Sequence, residues 1–192
     1  MNNLSKNLLA TITVALLIMN GFLIYQNLNL KAKLEKPAPV QIKEGKILTA
    51  FEALDINGKT VKVDYEGNNF KRVLFYFHPT CGWCKKQMPY WNELVSKADS
   101  RNFKFTAVTI DDNSEEIKDY INKFGMNSWE VLSMKKADAD KSELSGTPTT
   151  VVLDSQGKVE KVWIGMWRDD ELTDAGKYFS IDFTSVKTDK NS

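Results

Sequence analysis

Between Lys6 and Lys31 the chain carries no charged residue, and Leu8 to Tyr25 is an almost unbroken apolar run. As a helix that run is ~27 Å long at about 1.5 Å per residue, close to the ~30 Å hydrocarbon thickness of a bilayer. The exit from it, Gly21-Phe22-Leu23-Ile24-Tyr25-Gln26, lacks the small residues that a cleavable signal places just past its apolar stretch. The segment therefore predicts one uncleaved N-terminal transmembrane helix rather than a signal peptide or a core helix, and it has no cysteine for a lipid. Lys6 and the terminal amine flank one side, while Lys31, Lys33 and Lys36 flank the other, so charge counting favours a cytosolic domain. A very short N-terminal tail that normally stays inside argues the opposite way. Residues 1–36 are read as anchor and stalk, with Pro37-Ala38-Pro39 opening a stiff linker over 37–46.

What remains of the 192 residues is the size of one domain, predicted over 47–182, with a polar tail at 183–192. The formal charge of +1 recommends no polyanion, so a nucleic-acid partner is set aside. Ile47 to Leu54 and Thr60 to Val63 flank Asp55-Ile56-Asn57-Gly58, the pattern of a leading hairpin. Val73 to Phe77 is apolar at every position, as in a central strand covered on both faces. From Trp83 onward Met88, Trp91, Leu94 and Val95 recur at helical spacing, with Pro89 inside the pattern. Phe105 to Ile110 predicts another strand. Asp112 to Glu116 offers caps to a helix burying Ile117, Tyr120, Ile121 and Phe124, and Gly125 ends it. Thr149 to Leu153 and Lys158 to Ile164 form a second hairpin through Asp154-Ser155-Gln156-Gly157, and Asp169 to Tyr178 a closing helix. The fold class is α/β, a central mixed β-sheet flanked by helices.

The only two cysteines lie in Cys81-Gly82-Trp83-Cys84, directly after the buried strand and at the start of a helix. Unpaired backbone N–H groups and the positive end of the helix dipole favour thiolate at Cys81. A free cysteine has a pKa of about 8.5, and helix-start pairs of this spacing reach ~3.5 to 7. Cys81 is thus the candidate nucleophile. Cys84, one turn further in and more enclosed, is placed to resolve a mixed disulfide. Such chemistry needs no cofactor beyond the redox-active disulfide itself.

Val73 to Pro89 resembles the thioredoxin superfamily: a hydrophobic strand with Phe77 at its aromatic position, the CxxC, and a proline five residues after the second cysteine. Ser145-Gly146-Thr147-Pro148-Thr149-Thr150-Val151 is similar to the family's second signature, a cis-proline loop facing the disulfide, and Gly165 to its glycine after the last strand. The leading hairpin and the Asp111-Asp112 segment look most like the membrane-tethered branch that includes TlpA and ResA. The resemblance implies a thioredoxin-like fold and an extracytoplasmic thiol–disulfide oxidoreductase on a bacterial cytoplasmic membrane. It implies protein thiols or disulfides as substrates and a membrane-embedded electron donor, with the reducing direction favoured and the reverse open. Cytochrome c maturation and general disulfide reduction are the roles it suggests. Main-chain groups of Thr147, before Pro148, would pair with a substrate strand, and Gly82 and Trp83 would border it. Trp167 is read instead as a core tryptophan.

Two positions depart from the pattern. Thioredoxins proper carry a buried acid where this chain has Phe75, and ResA-like proteins carry one where it has Gln87. The sequence thus names no proton acceptor for Cys84. His78, the only histidine, would favour the Cys81 thiolate as an imidazolium, although a solvated strand-end histidine is the plainer reading. A structural disulfide closing so small a loop gains little. Zinc needs four ligands where one CxxC and His78 supply at most three, so no metal site is expected. A copper chaperone of the SCO type has CxxxC with a downstream histidine. A peroxiredoxin has Pro-x-x-x-Thr-x-x-Cys, a spacing that Pro79-Thr80-Cys81 lacks.

Overall fold

The computed structural model describes residues 3–34, 40–65 and 69–186, in two compact units divided after Pro39. The first unit is a single helix, α1 (Asn3–Leu34). Its segment Asn7–Lys31, 25 residues, is long and apolar enough to cross a membrane, and its apolar side chains are exposed. Three of the uncharged polar side chains inside it turn back onto their own helix. Thr11 and Thr13 donate to the carbonyls of Asn7 and Leu9 at 2.9 Å, and Asn20 donates to that of Leu16 at 2.9 Å. Bonds of this kind satisfy polar groups where no water competes for them. The expected Pro37-Ala38-Pro39 linker and the tail beyond residue 186 lie outside the described residues.

The second unit is built on seven strands: β1 (Phe51–Asp55), β2 (Thr60–Val63), β3 (Lys71–Tyr76), β4 (Phe103–Thr109), β5 (Glu130–Met134), β6 (Thr149–Leu153) and β7 (Val159–Ile164). Four helices join them: α2 (Gly82–Lys97), α3 (Ser114–Phe124), α4 (Lys136–Lys141) and α5 (Asp169–Phe179). The sheet order is β2-β1-β5-β4-β3-β6-β7. β3, β4 and β5 run parallel to one another, while β1, β2, β6 and β7 add antiparallel pairings at the two sides. This is the mixed sheet flanked by helices that the alternating pattern predicts. Two elements come without a sequence signal, β5 and α4.

Strand β3 explains its own composition. Val73 and Phe75, with Phe77 just beyond, pack with Met88, Trp91 and Leu94 of α2, Ile117 and Ile121 of α3, and Ala175 and Phe179 of α5. The alternate residues Leu74 and Tyr76 enter a second core with Phe51 and Ala53 of β1 and Ala139 of α4. Because successive side chains of a strand point to opposite faces, a strand buried on both faces is apolar throughout. Ile42, in the stretch read as linker, belongs to that second core, and its N–H donates to the Glu143 carbonyl at 3.0 Å. Phe183, at the start of the expected tail, is buried against the first core.

Both hairpins close by the same device. Asp55 Oδ1 accepts the N–H groups of Asn57 at 2.8 Å and Lys59 at 2.9 Å, and Asp154 Oδ1 accepts those of Gln156 at 2.8 Å and Lys158 at 2.9 Å. Side-chain bonds of this kind mimic a backbone turn. Each turn then needs a residue at positive φ, supplied by Gly58 at 79° and Gly157 at 78°. The two sites differ in space: a Cβ on Gly157 would come to 2.7 Å from the Leu48 carbonyl oxygen, whereas one on Gly58 meets nothing within 4 Å. Gly157→Ala is therefore expected to destabilise the domain by more than about 1 kcal/mol, and Gly58→Ala by less. Urea denaturation followed by tryptophan fluorescence compares them; equal midpoints would refute this account of the second turn.

Candidate active site

The loop leaving β3 delivers Cys81 to the start of α2. The first N–H groups of a helix lack intrahelical acceptors, and here a cysteine serves. Cys81 is the N-cap, with its Sγ accepting the Cys84 N–H at 3.1 Å. Its own N–H donates to the His78 carbonyl at 3.0 Å, which fixes the loop behind it. The Cys81 thiol also donates to the carbonyl of Thr147, 3.6 Å away. The Thr147–Pro148 bond is cis, and the Pro148 carbonyl accepts the Gly165 N–H at 2.8 Å. Thus α2 and the β6 entry loop converge on one sulfur.

The two thiols sit in different surroundings. Cys81 is partly exposed and Cys84 is buried, and both are unbridged. Burial works against ionisation of Cys81. Hydrogen bonds from the Cys84 and Thr147 side chains and from the backbone of Cys84 and Trp83 outweigh it, so its pKa falls below the ordinary thiol value. For Cys84 burial is again the largest influence, the neighbouring Cys81 adds to it, and the pKa rises well above that value. One sulfur thus ionises more readily than an ordinary thiol, and the other less readily.

The remaining expected site residues fall in distinct places. Gly82 is exposed at the first turn of α2, and a Cβ there would meet nothing within 4 Å. Trp83 is 55% exposed beside Cys81, with Lys86 Nζ 5.3 Å from its ring centroid. Thr147 is half-buried and Pro148 buried. Trp167 is a core residue, packed against Trp163 and Phe183 with ring centroids 5.6 Å from each. The His78 ring is engaged by other groups than the sulfur: Nδ1 lies 2.9 Å from Thr80 Oγ1, and Nε2 lies 3.8 Å from Asp111 Oδ2. Its contribution at Cys81 is its main-chain carbonyl.

The two positions where related folds carry an acid are neutral and structural. Phe75 centres an aromatic cluster, with ring centroids 4.9 Å from Trp91, 5.8 Å from Phe105 and 5.2 Å from Trp129. Gln87 is fully buried, and its Oε1 accepts the Trp167 N–H at 2.8 Å. Tyr120 of α3 is buried in the same core as Cys84. In the sequence it reads as an apolar-face position of an amphipathic helix, and the structure buries it there. No group of three or more His, Cys, Asp or Glu side chains converges as metal ligands do among the described residues.

Comparison with known proteins agrees with this geometry. Residues 45–162 match the AhpC/TSA family. The thiol–disulfide oxidoreductase ResA of Bacillus thuringiensis (strain Al Hakam) is 29% identical over 174 residues, covering 88% of this chain and 95% of that protein. ResA of Bacillus subtilis (strain 168) is 29% identical over 135 residues, covering 69% of this chain and 74% of its own. The thioredoxin domain of a thiol–disulfide oxidoreductase from Bacteroides vulgatus superposes with a TM-score of 0.58 at 22% identity, over 72% of this chain and 99% of that one. StoA from Bacillus subtilis does so with a TM-score of 0.53 at 21% identity, over 67% and 96%. At those identities the likeness concerns the fold, which is thioredoxin-like. With its family match running through both the cysteine pair and the Thr147-Pro148 loop, the chain belongs to the AhpC/TSA family.

Proposed function

We propose that this thioredoxin-like thiol–disulfide oxidoreductase reduces protein disulfides on the extracytoplasmic face of a bacterial cytoplasmic membrane, to which α1 anchors it. The observation that carries the reading is the asymmetric pair, a partly exposed helix-capping Cys81 above a buried Cys84. Cys81 attacks a substrate disulfide and forms a mixed disulfide, which Cys84 then cleaves, releasing reduced substrate and leaving the pair oxidised. The Thr147 main chain beside Cys81 offers an extended substrate segment a partner for backbone pairing, and exposed Trp83 offers it apolar contact. Both roles accept many sequences.

The chain has only two cysteines, so each turnover consumes its whole reducing capacity. Electrons must come from another dithiol, and a tethered enzyme draws them from a donor in the same membrane. The reducing direction rests on the resemblance to the membrane-tethered branch and on the ResA relatives, as does service in cytochrome c maturation or general disulfide reduction.

Three measurements test this reading. Because the Cys81 pKa is lowered, its thiolate forms at lower pH than that of a free cysteine, while the raised Cys84 pKa keeps that thiol protonated. Alkylation of the reduced protein near pH 7 is expected to label Cys81 alone and faster than free cysteine. Equal labelling of the two would remove the assigned roles. Cys84→Ser is expected to accumulate mixed disulfides through Cys81 in cells, detectable by mass spectrometry. Their absence, combined with failure of the wild-type protein to reduce any test disulfide, would end the enzyme reading. Finally, a membrane-impermeant maleimide should label Cys81 in intact reduced cells whose outer layer admits the reagent. Labelling that requires lysis would put the domain on the cytoplasmic side.

A further inference from the structure

Exposed apolar residues lie on every side of α1, so hydrophobicity alone gives it no preferred face. Its pattern of residue types does. Leu9, Leu16, Leu23 and Leu30 recur at intervals of seven, and Thr13, Asn20 and Asn27 each follow a leucine by four. Residues spaced alternately by four and three lie along one stripe of a helix. The side chains confirm the stripe: Thr13 Oγ1 donates to the Leu9 carbonyl and Asn20 Nδ2 to the Leu16 carbonyl, each at 2.9 Å. All four leucines are exposed. Three heptads of helix run for about 30 Å, the thickness of a bilayer's hydrocarbon layer.

A leucine face gains nothing by leaving lipid, because hydrocarbon chains are as apolar as leucine. The Asn20 amide is different. It stands next to the middle of the Asn7–Lys31 segment and is the only amide between Leu8 and Tyr25. Its bond to Leu16 uses one N–H; the other N–H and Oδ1 have no partner among the described residues. Polar groups left so at that depth are costly. Thr11 lies off the stripe, and its hydroxyl proton is already taken by the Asn7 carbonyl. Whatever satisfies Asn20 must offer both a donor and an acceptor at the same depth. A second copy of the chain does so. Inserted by the same segment in the same direction, it brings its own Asn20 level with the first, and one amide is complementary to another. Leucine at one heptad position and asparagine at the other is an arrangement that specifies register in paired parallel helices.

We infer that α1 pairs with α1 of a second copy along the stripe from Leu9 to Leu30, in parallel and in register, with the two Asn20 side chains hydrogen-bonded across the interface. The inference rests on the anchoring role of α1 proposed above and is independent of the thiol chemistry. A strict seven-residue repeat drifts by about 20° per heptad on a straight helix, so the two helices wind around each other with a left-handed twist. The catalytic domain then occurs twice per assembly, which doubles the dithiols held at one point of the membrane.

The test uses the full chain carrying Cys81→Ser and Cys84→Ser, reconstituted in vesicles of phosphatidylglycerol and phosphatidylcholine, with one cysteine introduced at a time. On oxidation by copper–phenanthroline, Leu16→Cys and Leu23→Cys should give disulfide-linked dimers. Ile18→Cys and Tyr25→Cys, on the other side of the helix, should give few. Asn20→Leu should weaken association about tenfold, read as energy transfer between labelled copies while added lipid dilutes them, and Asn20→Gln should restore most of it. Every variant should float with the vesicles as wild type does. Cross-linking without preference for the stripe, or association unchanged in Asn20→Leu, would overturn the pairing. So would a chain that is monomeric in vesicles but cross-links through Leu16→Cys to a different protein in cells, which would assign the stripe to that protein. Failure of wild type to float with the vesicles would instead strike the anchoring role itself.

Discussion

A helix cannot begin without acceptors for its first N–H groups, and at α2 the Cys81 sulfur is one of them. Sulfur is a weak acceptor as a thiol and a much better one as a thiolate, so the fold and the ionisation of Cys81 favour each other. The rest of the domain can be read as holding that sulfur in place. β3, buried on both faces, delivers the loop, and the His78 carbonyl fixes its last peptide. The β6–β7 hairpin brings Thr147 across from the other side, tied through Pro148 to Gly165.

Much of this could be read in the sequence because the signals are local. An all-apolar Val73 to Phe77 identifies a strand covered twice, and Asp55 and Asp154 announce turns that they themselves bond. The helix-opening cysteine pair is local too, as is the Thr-Pro signature. What escaped depends on distant partners. Glu130 to Met134 has no flanking turn pair and becomes strand β5 by pairing with β4 on one side and β1 on the other. Ile42 lies among polar residues of an apparent linker and is buried only because the chain folds back to Glu143. Trp83 and Trp167 are the same residue type with opposite fates, one exposed and one buried, decided by which helix face or loop carries them. Tyr120 is read as core from its place on the apolar face of α3, and it is buried there.

The interior beneath the pair is notable for its neutrality. Phe75 and Gln87 replace charge with packing and a single backbone tie, so the dielectric around Cys84 stays low. Burial raises the pKa of both thiols, but at Cys81 the capping hydrogen bonds outweigh it, whereas at Cys84 it prevails. The contrast in acidity between the cysteines therefore follows from depth and from the hydrogen bonds at one helix start.

The insertion of the leading hairpin has a consequence for how the chain assembles. β1 finds its outer neighbour β2 at once through a short turn, but its inner neighbour is β5, where Ala53 meets Met134. A nascent chain is made from its N-terminus, so β1 is available long before that partner exists. During this interval one edge of a partly apolar ribbon is open, the situation in which strands pair with foreign chains. Completion of the sheet on that flank is thus governed by a late, long-range closure.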